Sequence, residues 1–200
     1  LGVPLQLLIR LHPISSPALQ EEYFHRFAGR TNVVVQRPGR RSRLHDGWDP
    51  TWADTLIMAS TLYCSDVIVN VASTLSIDAA ALDKPIVCIG FGAEGQTTPS
   101  KYFRSIFDHS HYRKLVDTGG IKVVYDLDEL VSALRHYLAD PTLDALGRKQ
   151  LRKALCHRLD GRSAWRAAAI VLRTLGMEVL TSRGRADMRE NGEQTSLTNL

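Results

Sequence analysis

Hydrophobic and polar positions alternate between two periods along the chain, and this alternation predicts an α/β fold. Short apolar runs predict buried strands at residues 5–11, 33–35, 66–72, 86–91 and 121–125. Segments with helical spacing lie between them, at residues 17–28, 51–63 and 75–82. The first strand is apolar almost throughout, so we expect both of its faces to be buried. Strands that alternate with helices make right-handed crossovers, which predicts a doubly wound parallel sheet.

The C-terminal third continues this alternation and then loses it. Asp126 precedes a helix and Glu129 follows three residues later, a carboxylate version of the capping box. Further helices are predicted at residues 143–157 and 161–175. From there on, residues 181–200 are polar and without periodicity, which predicts a disordered tail.

Length and composition fit a single globular domain, which we place at residues 1–177. Of the 200 residues, 44% are hydrophobic, an ordinary share for a globular protein. No apolar run approaches the roughly 18 residues of a membrane span, so we expect no transmembrane segment. The chain starts without Met and just before a strand, and we expect it to be the inside of a longer protein.

The chain is mildly basic, with a net charge of +4. This charge fits anionic ligands but is weak support for nucleic-acid binding. The densest basic run lies in a predicted polar loop at residues 37–50 and consists of Arg37, Arg40, Arg41 and Arg43. Because no aromatic residue is interleaved, the run favours a solvated loop, with contact to a phosphate or an anionic surface as the alternative.

Cysteine use and missing motifs exclude several classes of protein. Cys64, Cys88 and Cys156 lack the spacing of a metal site, and Cys88 lies in a predicted buried strand. This pattern is typical of a reduced, cytosolic protein. The sequence contains no P-loop, GxSxG or HExxH motif. Their absence argues against an NTPase, a common hydrolase and a zinc protease, and we expect neither a metal nor a cofactor.

Three loops carry candidate ligand-binding residues to one edge of the predicted sheet. His12 follows the first strand, Ser73 and Thr74 follow the third, and a glycine-rich loop from Gly92 follows the fourth. In parallel sheets, ligands bind in the crevice at the carboxyl ends of the strands. The convergence of the three loops, rather than any one of them, predicts a binding site at this edge.

Ser73 and Thr74 begin the helix after the third strand. Free backbone N–H groups and the helix dipole at such a position suit a phosphate. The alternative is an ordinary N-cap, since Ser and Thr are preferred there in any case. Asp78 lies four residues after Thr74, on the same helix face. We expect its carboxylate to accept hydrogen bonds from vicinal hydroxyls of a ribose or sugar, or to complement the helix dipole.

Histidines and the glycine-rich loop supply the remaining candidates. His12 is suited to donate to a phosphoryl oxygen or to act as an acid, and its alternative is packing on the sheet edge. His109 and His111 cannot share a helix face, which argues against a zinc pair. One of these two is a candidate for a phosphate contact. Gly92 and Glu94 are candidates for contact with the sugar or glycerol part of a donor.

These residues stand in an order that resembles a known family of transferases. The segments that carry the likeness are residues 10–13, 65–78 and 83–87, with weaker support from residues 111–113, 119–120, 126–138 and 159–162. They resemble the C-terminal half of GT-B glycosyltransferases, in particular the CDP-glycerol glycerophosphotransferase-like enzymes and related polysaccharide glycosyltransferases. The resemblance covers roughly residues 5–175, and it implies a single Rossmann-like GT-B half with C-terminal helices.

The resemblance also implies roles for individual residues. Ser73, Thr74 and Asp78 match phosphate and ribose contacts, and His12 matches a histidine linked to donor binding or catalysis. His109 or His111 matches a second histidine. Where the glycerophosphotransferases carry Tyr-Ser-Ser and then Phe-Asp, this chain has other residues beside the shared serine and aspartate. That departure favours a nucleotide sugar over CDP-glycerol as the donor.

A GT-B enzyme needs a second, N-terminal domain for the acceptor side, and this chain has sequence for one domain only. The resemblance therefore implies a donor-binding domain that lacks its N-terminal partner and serves cell-surface polysaccharide synthesis. The acceptor would be a glycan or a lipid-linked group. The expected location is cytoplasmic, with peripheral attachment to the inner face of the membrane kept open.

Other functions stay open at this point. A UDP-sugar 2-epimerase shares the two-domain fold and needs no acceptor. A non-catalytic nucleotide-binding module fits a chain that holds half of the usual enzyme. Nucleic-acid binding through the arginine-rich loop is the least favoured alternative.

Overall fold

The computed structural model describes residues 2, 4–13, 15–37, 39–41, 48–92 and 105–177. The strands are β1 (Leu7–Arg10), β2 (Val33–Gln36), β3 (Arg40–Arg41), β4 (Trp48–Asp49), β5 (Ile68–Asn70), β6 (Ile86–Ile89) and β7 (Lys122–Val124). The helices are α1 (Pro17–Phe27), α2 (Trp52–Cys64), α3 (Leu75–Ala81), α4 (Ser110–Val116), α5 (Leu127–Ala139), α6 (Ala145–Leu155) and α7 (Ser163–Thr174). Residues 105–108 form a further helical turn. Helices alternate with strands, which confirms the predicted α/β class.

The parallel strands form two ladders. In the first, β1 pairs with β2, from Leu7 opposite Val33 to Arg10 opposite Gln36. In the second, β6 lies between β5 and β7 and pairs with both in parallel. Helices α1 and α3 supply the long connections that parallel neighbours require. The described ladders are not hydrogen-bonded to each other, so parallel α/β pairing is confirmed and the doubly wound arrangement stays a prediction.

The expectation that the first strand is buried on both faces is wrong. The side chains of Leu7 and Leu8 in β1 are 51% and 36% exposed, and Leu5 just before it is 37% exposed. Among the described strands, β1 pairs with β2 alone, and α1 packs against β2. An apolar run therefore marks the strand correctly, but burial of its faces depends on neighbours that the run does not specify.

The loop expected at residues 37–50 is not entirely irregular. Strands β3 and β4 pair in antiparallel fashion, with Arg40 opposite Asp49 and Arg41 opposite Trp48. Arg43, which completes the basic run, lies outside the described residues. Two of its four arginines are thus backbone partners in a short ladder, a role that composition did not indicate.

Strand β6 is the centre of the core because both of its faces are covered. Ile86 and Cys88 point into one cluster, which Phe107, Leu115 and Leu151 complete, and both strand residues are fully buried. On the other face, alternate β6 residues pack against α5 and β7 in a second cluster that contains Val87, Val124, Ala133 and Tyr137. The burial of Cys88 confirms the prediction for this strand.

Helices α2 and α5 begin with side-chain capping hydrogen bonds. At α2, Thr51 Oγ1 accepts from Asp54 N at 3.2 Å and Asp54 Oδ2 accepts from Thr51 N at 3.0 Å. At α5, Asp126 Oδ1 accepts from Glu129 N at 2.8 Å, which confirms the predicted start. Glu129 returns the contact one residue earlier than a standard capping box, by accepting from Tyr125 N at 2.7 Å. Each cap fixes where a strand or loop passes into a helix.

A buried arginine holds helix α6 against the loop after α3. Arg148 is 1% exposed, and its Nε donates to Asp83 Oδ1 at 3.0 Å. Its Nη1 and Nη2 donate to the carbonyl oxygens of Leu143 at 2.6 Å and Pro141 at 2.9 Å. Arg152, one turn later, donates to the same Asp83 oxygen at 2.8 Å. Each nitrogen of the guanidinium thus has an acceptor, and these hydrogen bonds offset the cost of burying the charged group.

Glycine at position 147 permits α6 to touch the backbone before β7. A Cβ built on Gly147 would lie 2.2 Å from the carbonyl carbon of Gly119, and one on Gly120 would lie 2.7 Å from Gly147 C. Such separations are far below van der Waals contact, so these two backbones meet without side chains between them. Gly119 also has φ of +68°, a conformation that glycine adopts readily.

Contacts divide the chain into two units, Leu1–Leu155 and Cys156–Leu200. In the second, the structure describes residues 156–177, where Arg166 binds both oxygens of Asp160 at 2.9 Å. This pairing holds the pKa of the Asp160 carboxyl well below its usual value. Whether residues 1–177 form one domain stays a prediction, and the predicted tail lies outside the described residues.

Within the described part of the chain, the helices are too short or too polar to cross a bilayer.

We expect Arg148→Ala to lower the free energy of unfolding by about 3 kcal/mol, because it leaves Asp83 and two carbonyl oxygens without their buried donor. Urea unfolding followed by circular dichroism measures the change. Arg113→Ala is the matched control, since Arg113 likewise forms ion pairs, with Asp108 and Asp117, but on the surface. Its expected cost is below about 1 kcal/mol. Equal losses for the two variants would contradict the assigned role of Arg148.

Candidate functional site

The candidate site is the turn between β5 and α3, which we call the β5–α3 turn (residues 71–74). It lies at the carboxyl end of β5, next to the carboxyl end of β6 in the same parallel ladder. Ala72 has φ of 40°, so the chain reverses through a backbone conformation that residues other than glycine seldom adopt. A reversal of this kind is kept only where surrounding contacts determine it.

Asn70 and Ser76 supply those contacts from the two sides of the turn. Asn70 Nδ2 donates to Ser76 Oγ at 3.1 Å, and Asn70 Oδ1 accepts from Ser73 N at 3.3 Å. Ser76 is completely buried. The last residue of β5 is thereby tied to the first turn of α3 by side chains, which constrain the shape of the turn.

Tyr112 connects helix α4 to the same cluster. Its hydroxyl lies 2.9 Å from Ser76 Oγ and 3.3 Å from Cys88 Sγ, and Cys88 Sγ lies 3.5 Å from Asn70 Oδ1. Burial raises the pKa of both the Tyr112 hydroxyl and the Cys88 thiol. Both groups therefore stay protonated at neutral pH and act as hydrogen-bonding groups rather than as nucleophiles.

The backbone N–H groups of Ser73 and of residues 75–77, in the first turn of α3, donate hydrogen bonds within the chain. Leu75 N donates to Ser73 Oγ at 3.2 Å, Ser76 N to Ser73 O at 3.0 Å and Ile77 N to Thr74 O at 2.9 Å. Since Ser73 N is also held by Asn70, an anion would compete with internal acceptors for these donors. The expected contact through the Ser73 hydroxyl meets the same competition, because that hydroxyl caps Leu75.

Thr74 and Asp78 are the polar side chains that the turn presents to solvent. Thr74 is the N-cap residue of α3, yet its hydroxyl makes no capping hydrogen bond, and the residue is exposed. Asp78 is also solvent-accessible, but neighbouring atoms desolvate its carboxyl enough to raise its pKa. A hydroxyl and a carboxylate one helical turn apart can bind a ligand that carries both hydrogen-bond acceptors and hydroxyl groups.

The structure places the other predicted residues as follows. His12 follows β1, in the other ladder, and is exposed. Gly92 follows β6 at the same edge as the turn and is half-buried. His109 is the exposed N-cap residue of α4, the helix that Tyr112 ties to the turn. Glu94 and the side chain of His111 lie outside the described residues.

Sequence reasoning missed the residues that hold the site together. Asn70 interrupts an apolar strand, and Ser76 lies three and four residues before the buried Ala79 and Ala80, on the core face of α3. A polar residue on a core face has to find a partner, and that signal was readable. Tyr112 lies 36 residues from Ser76, and no local pattern could have paired them.

Comparisons of the chain with protein-family models, with curated proteins and with solved structures find no match.

We expect Tyr112→Phe to reduce the free energy of unfolding by about 1 kcal/mol, because it removes one hydroxyl from a buried network. A double-mutant cycle with Ser76→Ala isolates the coupling between the two hydroxyls, which we expect to be of the same size. The control is Tyr63→Phe, at a tyrosine that is 68% exposed, with an expected change below about 0.5 kcal/mol. Additive effects of the two core substitutions would refute the assigned hydrogen bond.

Asp78 predicts a pH dependence of stability. Because its pKa is raised in the folded state, the native protein binds this proton more tightly than the unfolded chain. Asp78 therefore contributes most to stability below the usual carboxyl pKa. That contribution is lost as pH rises through the pKa that Asp78 has in the folded protein. We expect the stability of Asp78→Asn, relative to the original chain, to increase between pH 4 and pH 7 by less than about 1 kcal/mol, since solvent screens this carboxyl. Urea unfolding at several pH values measures this difference. A difference in stability that does not change with pH would contradict the raised pKa of Asp78.

Proposed function

We propose that this chain is the donor-binding half of a GT-B glycosyltransferase or glycerophosphotransferase that uses a nucleotide-activated sugar or glycerol in cell-surface polysaccharide synthesis. The observation that carries the proposal is the preformed β5–α3 turn. Side chains fix its shape from within, and Thr74 and Asp78 stand uncommitted on its outer side. A site that is ordered before its ligand arrives loses less entropy on binding.

The proposed roles follow from the chemistry of the side chains. The Thr74 hydroxyl would donate to a phosphoryl oxygen of the donor, with Ser73 beside it. The Asp78 carboxylate would accept from vicinal hydroxyls of a ribose, and its partly desolvated position strengthens such hydrogen bonds. His109 would add a donor from the α4 side, and Gly92 would allow close approach of the ligand to the chain after β6. Glu94 and His111 remain candidate donor contacts.

The arrangement of the whole enzyme belongs to the same proposal. The two parallel ladders would be parts of one doubly wound sheet, and His12 would face the donor from the end of β1 as the catalytic histidine. The acceptor, a glycan or lipid-linked group, would be held by an N-terminal partner domain. No metal is required, since side-chain and backbone donors would stabilise the leaving diphosphate. The proposed location is cytoplasmic.

The test is calorimetric titration of the chain with UDP and with CDP. We expect binding of one of them, and we expect Thr74→Ala to weaken it about tenfold, the effect of removing one hydrogen bond to a charged group. Thr55→Ala is the matched control, because Thr55 is likewise an exposed threonine in the first turn of a helix. It should leave the affinity unchanged.

Two results would overturn the proposal. One is the absence of heat with either nucleotide at millimolar concentration while circular dichroism shows the chain to be folded. The other is equal loss of affinity in Thr74→Ala and Thr55→Ala, since a general destabilisation would then explain both. Conversion of UDP-N-acetylglucosamine without any acceptor would favour the epimerase instead.

A further inference from the structure

A second polar cluster lies at the carboxyl end of the β1–β2 ladder, and its guanidinium is incompletely satisfied. Arg10 and Gln36 are the last residues of the two strands and lie opposite each other. Arg10 Nη1 donates to Gln36 Oε1 at 2.9 Å. Arg10 Nη2 is buried and, among the residues that the structure describes, has no hydrogen-bond partner. A buried donor on a charged group is costly without an acceptor, so this atom indicates a missing partner.

Asp54 does not supply that acceptor. Its carboxylate accepts from Thr51 Oγ1 at 2.7 Å and from Thr51 N at 3.0 Å. These hydrogen bonds are the largest causes of the lowered pKa of Asp54, and the charge of Arg10 adds a smaller contribution. Among the described residues, the two side chains form no ion pair. Asp54 is therefore close enough for the charge of Arg10 to lower its pKa, but its carboxylate already caps helix α2.

Gly39 and Thr61 contact the two acceptors already described, Asp54 and Gln36. A Cβ built on Gly39 would lie 2.1 Å from Asp54 Oδ2, so the glycine backbone packs directly on the carboxylate and holds it in place. Gln36 Oε1, which Arg10 Nη1 already uses, also lies 3.5 Å from Thr61 Oγ1. The described acceptors Asp54 Oδ2 and Gln36 Oε1 thus already take part in hydrogen bonds.

We propose that Arg10 binds a small oxyanion, a phosphoryl or carboxylate group, at the carboxyl end of β1. The oxyanion would accept a hydrogen bond from Nη2, for which the described residues provide no acceptor. Arginine suits this role because its guanidinium is always charged and offers donors in a planar fork that matches two oxygens. Arg10 as a whole is half-buried, so its guanidinium can turn to meet an entering anion. The site lies at the end of β1, two residues before His12, and its test does not depend on nucleotide binding.

The experiment is calorimetric titration of the whole chain with inorganic phosphate, with chloride adjusted to constant ionic strength. We expect Arg10→Met to weaken phosphate binding at least about tenfold, since it removes a charge-assisted hydrogen bond. Arg37→Met is the matched control because Arg37 lies directly after β2 but is exposed and paired with Glu21 at 2.6 Å. It should bind phosphate as the original chain does. A parallel titration with acetate shows whether the site prefers a phosphoryl or a carboxylate group.

The control is needed because phosphate also favours folded proteins in general. Absence of phosphate and acetate binding to the original chain would overturn the proposal, as would equal affinity in Arg10→Met. Circular dichroism checks that this variant is folded. If it is not, Arg10→Lys decides instead, since lysine keeps the charge but loses the fork. Unchanged phosphate affinity in that variant would count against the proposal, and a loss of severalfold would support it. Nucleotide binding plays no part in these outcomes, so failure here is separate from failure of the donor site.

Discussion

A hydroxyl that is shut off from water has to find its partners inside the protein, and Ser76 places that requirement next to the candidate site. Asn70, Tyr112 and Cys88 meet it from three different segments of the chain. Satisfied networks of this kind specify one arrangement, because any other leaves a buried polar group unpaired. The positive φ of Ala72 is unfavourable by itself, and the hydrogen bonds of this network hold the backbone in that conformation.

At the carboxyl edge of the second ladder, different residues therefore shape the turn and face the solvent. Buried groups give the turn its shape, and exposed groups one or two residues away are left for contact with a ligand. This division resembles the logic of sites in which supporting side chains orient the residues that bind. It also explains why most backbone donors of the turn are already used: they belong to the support, while Thr74 and Asp78 belong to the outer surface.

Local patterns predicted the elements well, but not the contacts between them. The helix start at Asp126 could be placed because its cap is encoded within four residues, whereas the helix from Thr51 was placed by its spacing. The exposure of Leu7 could not, since it depends on which strands lie beside β1. The candidate residues of the β5–α3 turn were found from their position after a strand. Their support from Tyr112 was not, because pairing across 36 residues leaves no trace in periodicity.

Arg148 joins parts of the chain that are made at different times. Its contact with Asp83 spans 65 positions, and Arg152 reaches back 72 positions to the carbonyl oxygen of Ala80. During synthesis, the segment from α3 to β6 leaves the ribosome well before either arginine exists. Until residue 148 has emerged, Asp83 has neither of its arginine partners, and helix α3 and the loop after it lack these ion pairs. A shortened version of the protein that stops before α6 would remain in that unfinished state.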